Sequence, residues 1–214
     1  DKLDYDYIAS HPKLVVGFSD VTALQTALWE KCRLVTANGP LMVTLVGSDA
    51  YTAGQFFQGL TTDAWRGPLA LPAGRKLTTV VPGQAEGPIV GGNLTVLTSL
   101  VGTPYALDGT GCILVLEDTG EDAYRIDRML NQLWQSGLLS RVAAIAYGDF
   151  TDCPNDPDDF TTDQVLDYYA HLAGKPAIKG LPVGHTRDKA FVPYGVKVRL
   201  DADGEGASLT FIDG

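Results

Sequence analysis

A serine, a histidine and several carboxylates occur in this chain at positions from which they could form a hydrolytic centre. Ser19 lies in the stretch Gly17-Phe18-Ser19-Asp20, between an apolar run and a helical pattern. A sharp turn from strand to helix can lift a serine hydroxyl above a sheet edge, beside a helix N-terminus that stabilises negative charge. A serine at this position can equally be a helix N-cap, whose hydroxyl accepts a backbone N–H. The hydrolase signature Gly-x-Ser-x-Gly is incomplete because Val21 stands in its last position, so both interpretations stay open.

A serine nucleophile needs a base that works near neutral pH, and histidine is suited to this role. The chain has three histidines. His11 lies beside a proline in a polar segment, and His171 lies in a helical pattern. His185 follows Gly184 directly after an apolar segment, which is typical of a side chain that reaches into a cleft from the end of a strand. We therefore expect His185 to be the base.

The base in turn needs a carboxylate that fixes its tautomer and stabilises its charged form. Glu117, Asp118 and Asp149 each follow a strongly apolar run. The carboxyl ends of parallel strands carry the functional sites of α/β sheets, so all three are candidates. Each could also simply cap the helix that follows its strand, and the residues alone leave this choice open.

Metal and phosphate binding are the competing chemistries. Asp188 lies near His185, and Asp152 lies near Asp149, but neither His-x-x-x-His nor Cys-x-x-Cys spacing occurs. The turn Gly91-Gly92-Asn93 before a helical pattern could hold a phosphate. It lacks both the Gly-x-Gly-x-x-Gly fingerprint and a P-loop lysine. We expect no metal and no organic cofactor.

Composition argues against several classes of partner. The 16 basic and 26 acidic residues give a formal net charge of −10, so the surface should repel nucleic acids and anionic membranes. No apolar run reaches the roughly 18 to 20 residues that span a bilayer. Cys32, Cys112 and Cys153 lie far apart and are expected to be free thiols in a reducing compartment.

The elements that must position these side chains follow an alternating pattern. Residues 14–18 predict a buried strand, 21–29 a helix and 33–38 a second strand, an order typical of a parallel α/β unit. A change in composition near residue 70 predicts two domains, residues 1–70 and 71–214. The second domain is predicted to contain buried strands at 76–81, 112–116 and 142–147, a glycine-rich turn at 87–93, helices at 94–100, 124–136 and 162–173, and a closing hairpin at 196–200 and 208–212.

The order of several short motifs resembles that of the LD-carboxypeptidases, serine peptidases that include the microcin C immunity peptidases. The nucleophile segment of that family is similar to residues 16–24. Further motifs agree in the same order over essentially the whole chain: Asn38-Gly39-Pro40, Gly91-Gly92-Asn93-Leu94, Gly102-Thr103-Pro104-Tyr105, Leu116-Glu117-Asp118, Tyr124-Arg125-Ile126-Asp127-Arg128, Gly148-Asp149-Phe150 and Gly184-His185. Each motif alone is modest, but the ordered set is specific.

The resemblance implies a Ser-Glu-His triad, with Ser19 as nucleophile, Glu117 as acid and His185 as base. It also implies that the backbone N–H of Asp20 forms part of the oxyanion hole. The implied fold is α/β, in which the C-terminal part of a flavodoxin-like N-terminal domain carries the serine. A swivelling β/β/α-type C-terminal domain would carry the glutamate and the histidine, and the site would form between the two.

One departure from the family concerns the second oxyanion donor. Family members have a longer portion before the serine, with a loop of the Arg-Gly-Gly-Tyr-Gly type that is expected to supply this donor. The 214 residues hold no such loop. We therefore expect the chain to be a fragment, or to depend on upstream residues, and to be inactive alone.

The activity implied by the resemblance is hydrolysis of an L,D-peptide bond. Terminal D-alanine would be released from a murein tetrapeptide in cytoplasmic peptidoglycan recycling, by a homodimer. One alternative is an immunity-type peptidase that cleaves a peptidyl-nucleotide, in which aromatic residues such as Phe56, Phe57 and Trp65 would stack on the base. Because the segment holding these three residues is short, we favour the cell-wall substrate. A second alternative is an inactive homologue that binds peptide without cutting it.

Overall fold

The computed structural model describes residues 2–62, 65–154, 160–203 and 206–213. Within them the chain forms a three-stranded sheet and an eight-stranded sheet, with helices packed around them. The helices are α1 (Tyr5–Ser10), α2 (Val21–Cys32), α3 (Met42–Leu45), α4 (Ala50–Thr61), α5 (Leu94–Ser99), α6 (Ala123–Gln135), α7 (Leu138–Arg141) and α8 (Thr162–Ala173). The strands are β1 (Val16–Gly17), β2 (Thr36–Asn38), β3 (Gly67–Pro68), β4 (Thr78–Val81), β5 (Gln84–Asn93), β6 (Ile113–Thr119), β7 (Ala144–Thr151), β8 (Ala177–Lys179), β9 (Val192–Tyr194), β10 (Lys197–Asp201) and β11 (Ser208–Asp213). This architecture confirms the predicted α/β class, whereas the boundary between residues 1–70 and 71–214 stays a prediction.

The small sheet carries the turn that holds Ser19. Its strands β1 and β2 are parallel and are connected through α2, which confirms the predicted strand–helix–strand unit. The third strand, β9, pairs with β2 in the antiparallel sense and places Pro193 opposite Ala37. A proline is tolerated there because β9 is an edge strand of this sheet. A strand from late in the sequence therefore completes the sheet whose β1–α2 turn holds Ser19.

The large sheet has the strand order β3-β11-β10-β5-β6-β7-β8-β4. Its central strands β5, β6, β7 and β8 are parallel, so their carboxyl ends meet at one edge. The antiparallel pair β10 and β11 confirms the predicted closing hairpin. Glu117, Asp118 and Asp149 all lie near the carboxyl ends of β6 and β7.

The core fills both faces of these central strands. Residues 113–116 of β6 are completely buried, as expected for a parallel strand covered on both sides. One face packs against the apolar stripe of α6, in which Ile126, Leu130 and Leu133 are fully buried. The other face packs against residues of β10 and β11, including Val198 and Phe211. These buried strands place the candidate carboxylates at one edge of the sheet.

The glycine-rich segment 87–93 differs from its prediction, because it forms the second half of strand β5 and not a turn. Its glycines permit close approach of the backbone to neighbouring strands. A Cβ atom at Gly87 would lie 2.1 Å from the carbonyl oxygen of Gly111, and one at Gly91 would lie 2.1 Å from that of Val115. These contacts involve partners more than twenty residues away, so the local pattern alone suggested a turn.

Replacing Gly91 by alanine is expected to destabilise the fold by about 2–5 kcal/mol, since overpacking adds to backbone strain. Gly91 has a φ of +131° and its Cβ would overlap Val115. Gly111 is the matched control, because it has a φ of +70° but open space around the Cβ position. Urea unfolding should show a loss of only about 1 kcal/mol for Gly111→Ala. Equal losses in the two variants would contradict the close-approach explanation.

No helix in the described parts of the chain is both long enough and apolar enough to cross a membrane.

Candidate active site

Ser19 lies in a strained turn between β1 and α2. Its φ of +62° is a left-handed conformation that costs a non-glycine residue about 1–3 kcal/mol. The N-cap of α2 is Asp20, whose side chain makes no capping hydrogen bond, so Ser19 is not the N-cap. Gly17 allows the tight turn, because a Cβ at this position would lie 2.8 Å from a methyl group of Val21. The turn therefore leaves the Ser19 hydroxyl free to bond elsewhere.

The Ser19 hydroxyl meets the ring of His185. His185 Nε2 lies 3.1 Å from Ser19 Oγ, and His185 Nδ1 lies 3.1 Å from Glu117 Oε2. The three side chains form a hydrogen-bonded row. This row fits a neutral imidazole whose Nδ1–H donates a hydrogen bond to the carboxylate and whose Nε2 accepts one from the serine hydroxyl. The structure thus brings three residues that are remote in sequence into one continuous line of hydrogen bonds.

Glu117 is the buried end of this row. Its side chain is fully buried, and burial raises its pKa above the ordinary value while the adjacent His185 acts in the opposite direction. Two glycines make room for it. A Cβ at Gly184, which has a φ of +116°, would lie 2.6 Å from Glu117 Oε2, and one at Gly148 would lie 3.1 Å from Glu117 Cβ. The glycine before His185 is therefore required by the close contact with the carboxylate.

Asp118, the first rival carboxylate, bonds to other groups. It accepts hydrogen bonds from Asn93 Nδ2 and from the backbone N–H groups of Thr95 and Thr119, at 2.8 to 3.0 Å. The Thr95 hydroxyl donates to it as well. Asp118 therefore ties the end of β6 to the start of α5.

Asp149, the second rival, forms a two-point ion pair with the guanidinium of Arg75. Arg75 also donates to the carbonyl oxygens of Gly180 and Leu181. The pair anchors the segment that leads from β8 toward His185. Of the three candidate carboxylates, Glu117 is the one bonded to the imidazole.

The other two histidines lie in exposed local contacts. His11 stacks on the ring of Tyr7 with 4.3 Å between centroids. His171 Nδ1 lies 2.7 Å from the carbonyl oxygen of Asp167 within α8. Each of these two imidazoles contacts a carbonyl oxygen four residues earlier in the chain, and neither imidazole is bonded to Ser19.

The sequence suggested positions for a metal and for a phosphate. Among the residues that the structure describes, no group of three or more His, Cys, Asp and Glu side chains could hold a metal ion. Asn93, the last residue of the glycine-rich segment, uses its side-chain oxygen to cap α5 through the Val96 N–H at 3.1 Å. The backbone N–H of Asp20 donates to no acceptor within the described ranges. It lies at the start of α2 and is available to an anionic group.

Thr22 connects the helix that follows Ser19 to the strand beside Glu117. Its hydroxyl oxygen accepts the backbone N–H of Asn93 at 3.1 Å, and Thr22 is fully buried. A Cβ at Gly92 would lie 2.4 Å from this oxygen, so the glycine is needed for the contact. Thr22 was not singled out as a candidate from the sequence, because its contact with Asn93 spans 71 positions and leaves no local pattern.

Replacing Thr22 by valine is expected to lower the free energy of unfolding by about 1–3 kcal/mol, since a buried N–H loses its acceptor. Thr26→Val on the same helix is the control. The Thr26 hydroxyl donates to the carbonyl of Thr22 at 2.8 Å, a bond within the helix that contributes little to stability. Chemical denaturation of both variants measures the difference, and equal losses would show that the Asn93 contact contributes nothing.

Comparison with protein families gives two matches in this chain. Residues 1–39 match the LD-carboxypeptidase N-terminal domain, and residues 86–200 match the LD-carboxypeptidase C-terminal domain. The second match alone spans more than half of the 214 residues.

Individual relatives agree with these matches. A probable murein peptide carboxypeptidase from Bacillus subtilis (strain 168) is 39% identical over 207 residues, which are 93% of this chain and 63% of that protein. The microcin C7 self-immunity protein MccF from Escherichia coli is 29% identical over 246 residues, covering 97% of this chain and 68% of the relative. The chain thus spans slightly less than two thirds of the Bacillus protein.

A solved structure shares the fold over almost the whole chain. The crystal structure of muramoyltetrapeptide carboxypeptidase from Oxalobacter formigenes superposes with a TM-score of 0.85 at 31% identity, covering 99% of this chain and 73% of that one. The motifs, the fold and these matches lead to one assignment. The chain belongs to the LD-carboxypeptidase family.

Proposed function

We propose that the protein is a serine peptidase that hydrolyses an L,D-peptide bond and releases terminal D-alanine from a murein tetrapeptide. The observation that carries this proposal is the unbroken hydrogen-bonded row from Ser19 through His185 to Glu117. Its order and its two distances of 3.1 Å are those required of a nucleophile, a general base and an orienting acid.

The proposed reaction begins with attack on the carbonyl carbon of the scissile bond. His185 Nε2 takes the proton from Ser19 as Oγ forms a bond to that carbon, and Glu117 stabilises the imidazolium. When the tetrahedral intermediate collapses, the carbon–nitrogen bond breaks and His185 protonates the departing amino group of D-alanine. Water, deprotonated by His185, then hydrolyses the acyl-serine and restores the free enzyme.

The oxyanion of the tetrahedral intermediate needs preorganised donors. The N–H of Asp20 is proposed as one of them, because it lies directly after Ser19 at the N-terminus of α2, where the helix dipole favours negative charge. A second donor is proposed to come from residues that precede this sequence. Removing one such donor typically costs about 10²–10³-fold in rate.

The proposed substrate is supported by the relatives described as murein peptide or muramoyltetrapeptide carboxypeptidases. The alternative, cleavage of a peptidyl-nucleotide, is supported by the more distant similarity to the microcin C7 self-immunity protein. One observation that supports the murein substrate is that Trp65, one of the three aromatic candidates, stacks on Phe191, with 5.4 Å between centroids and an interplanar angle of 5°. Its ring also contacts Phe211, so it is engaged within the fold. Dimerisation and a cytoplasmic location stay predictions of the family resemblance.

The test measures D-alanine release from a purified murein tetrapeptide by mass spectrometry, using the natural full-length protein. The expected result is release of one D-alanine per tetrapeptide, together with labelling of Ser19 by a serine-reactive phosphonate. Cleavage of an aminoacyl-sulfamoyl nucleoside without D-alanine release would favour the immunity-type activity. Peptide binding without cleavage or labelling would show an inactive homologue.

A further inference from the structure

Lys189 is a buried cation next to the proposed catalytic residues. It lies in the segment between β8 and β9 and is only 9% exposed. Lysine is rarely buried unless its charge is compensated, because removing an ammonium group from water is costly. The groups around the Lys189 ammonium must therefore compensate for its loss of hydration.

The ammonium group of Lys189 bonds to the two residues on either side of His185. Nζ donates to the carbonyl oxygen of Gly184 at 2.6 Å and to that of Thr186 at 2.7 Å. Two bonds to the flanking residues fix the backbone on both sides of the imidazole. The Lys189 backbone is itself anchored, because its N–H donates to Thr52 Oγ1 at 3.0 Å.

The same ammonium group also contacts the turn that holds the serine. Nζ lies 4.4 Å from the ring centroid of Phe18, a cation–π distance. The Phe18 ring packs edge-on against the His185 ring, with 5.0 Å between centroids, and Phe18 directly precedes Ser19. One cation therefore connects the backbone around His185 to the backbone before Ser19.

We propose that Lys189 is a positioning residue that holds His185 against Ser19 in the reactive arrangement. This inference rests on the proposed function. It assigns no proton transfer to Lys189. A displacement of about 1 Å at reacting groups can cost about 10²-fold in rate, so fixing the His185 backbone is expected to contribute to turnover on that scale.

Charge balance explains how the ammonium is tolerated. Burial lowers the pKa of Lys189, and the carboxylates of Glu117 and Asp149 act in the opposite direction. Replacing Lys189 alone leaves the carbonyl oxygens of Gly184 and Thr186 without this donor and the nearby carboxylates without this cation, so a loss of stability is expected for either role. Replacement of a purely structural lysine would lower stability only, whereas replacement of a positioning lysine would also lower kcat in the folded protein.

The test compares Lys189→Met with the wild-type full-length protein. We expect kcat for D-alanine release to fall about 100-fold, with KM within about threefold of the wild type, at a temperature where circular dichroism shows the variant to be folded. The rate of phosphonate labelling at Ser19 should fall in parallel. Lys179→Met is the matched control, because Lys179 is a partly buried lysine that pairs with Asp163 and Asp167 of α8 and not with the His185 segment. It is expected to leave kcat unchanged.

A second set of variants keeps the inference testable if the methionine variant does not fold. Lys189→Gln retains a donor without the charge, and Lys189→Ala leaves space that ethylammonium can fill. Partial recovery of kcat in the alanine variant by ethylammonium, but not by the uncharged ethanol, is the expected result. Wild-type kcat in any folded variant that lacks the charge would overturn the inference. Absence of hydrolysis and labelling in the wild type would instead count against the proposed function.

Discussion

Replacing Ser19 by alanine is expected to lower the rate of peptide hydrolysis about 10⁶-fold, the scale seen when the nucleophile of a serine peptidase is removed. The Ser19 hydroxyl is the group bonded to His185 Nε2, and alanine leaves the imidazole without a nucleophile to activate. D-alanine release and phosphonate labelling should both disappear. Turnover retained in this variant would refute the assignment of Ser19.

Ser19→Gly is the companion variant, because it separates rate from strain. The φ of +62° at this position is one that glycine adopts without penalty. We therefore expect Ser19→Gly to be as inactive as Ser19→Ala but more stable than the wild type by about 1 kcal/mol, measured by urea unfolding. A glycine variant less stable than the wild type would contradict the presence of strain in the turn.

Replacing Glu117 by glutamine is expected to lower kcat about 10⁴-fold, as found when the orienting carboxylate of a triad becomes an amide. The amide can donate to His185 Nδ1 and so favour the wrong tautomer. It also cannot stabilise the imidazolium. Steady-state kinetics with the murein tetrapeptide measures this loss. Asp118→Asn is the control, because Asp118 supports the start of α5, and its replacement should cost stability with a much smaller loss of rate.

The same Glu117→Gln substitution makes a prediction about stability and pH. Burial raises the pKa of Glu117 in the folded protein, so ionising this carboxyl costs more in the folded state than in the unfolded state. That cost is fully present above the raised pKa and is absent below the ordinary pKa of glutamate. Glutamine removes the cost, so its stabilising effect relative to the wild type should appear as pH rises through this window and vanish in acid. A variant that is relatively most stable in acid would contradict the raised pKa.

Much of the architecture could be predicted because its signals are local. The apolar run before Glu117 and the helical stripe of residues 124–136 are contiguous in sequence, and they became β6 and α6. Segment 87–93 was misjudged because its glycines serve distant backbone neighbours such as Val115. Strand β9 was missed because three residues with a central proline carry almost no pattern, and pairing with β2 alone makes them a strand.

The candidate site also combines features that the sequence reveals with features that only the fold reveals. The types and positions of Ser19, Glu117 and His185 made them candidates, and the motif order chose among the rival carboxylates. The sequence could not show that Ser19 adopts a positive φ, since this depends on the turn between β1 and α2. Lys189 was not predicted as a site residue, because a lysine that follows Arg187-Asp188 resembles a solvated surface charge. Only the folded chain places its ammonium group against the Gly184 carbonyl.

The path of the chain after β8 has a mechanical consequence. Residues 180–191 form a strap whose first end is fastened to the large sheet through β8 and whose second end is fastened to the small sheet through β9. His185 sits in the middle of this strap. Because the strap joins the two sheets, we expect relative movement of the sheets to displace the imidazole from Ser19. Hydrostatic pressure, or a ligand bound between the sheets, is thus expected to lower turnover.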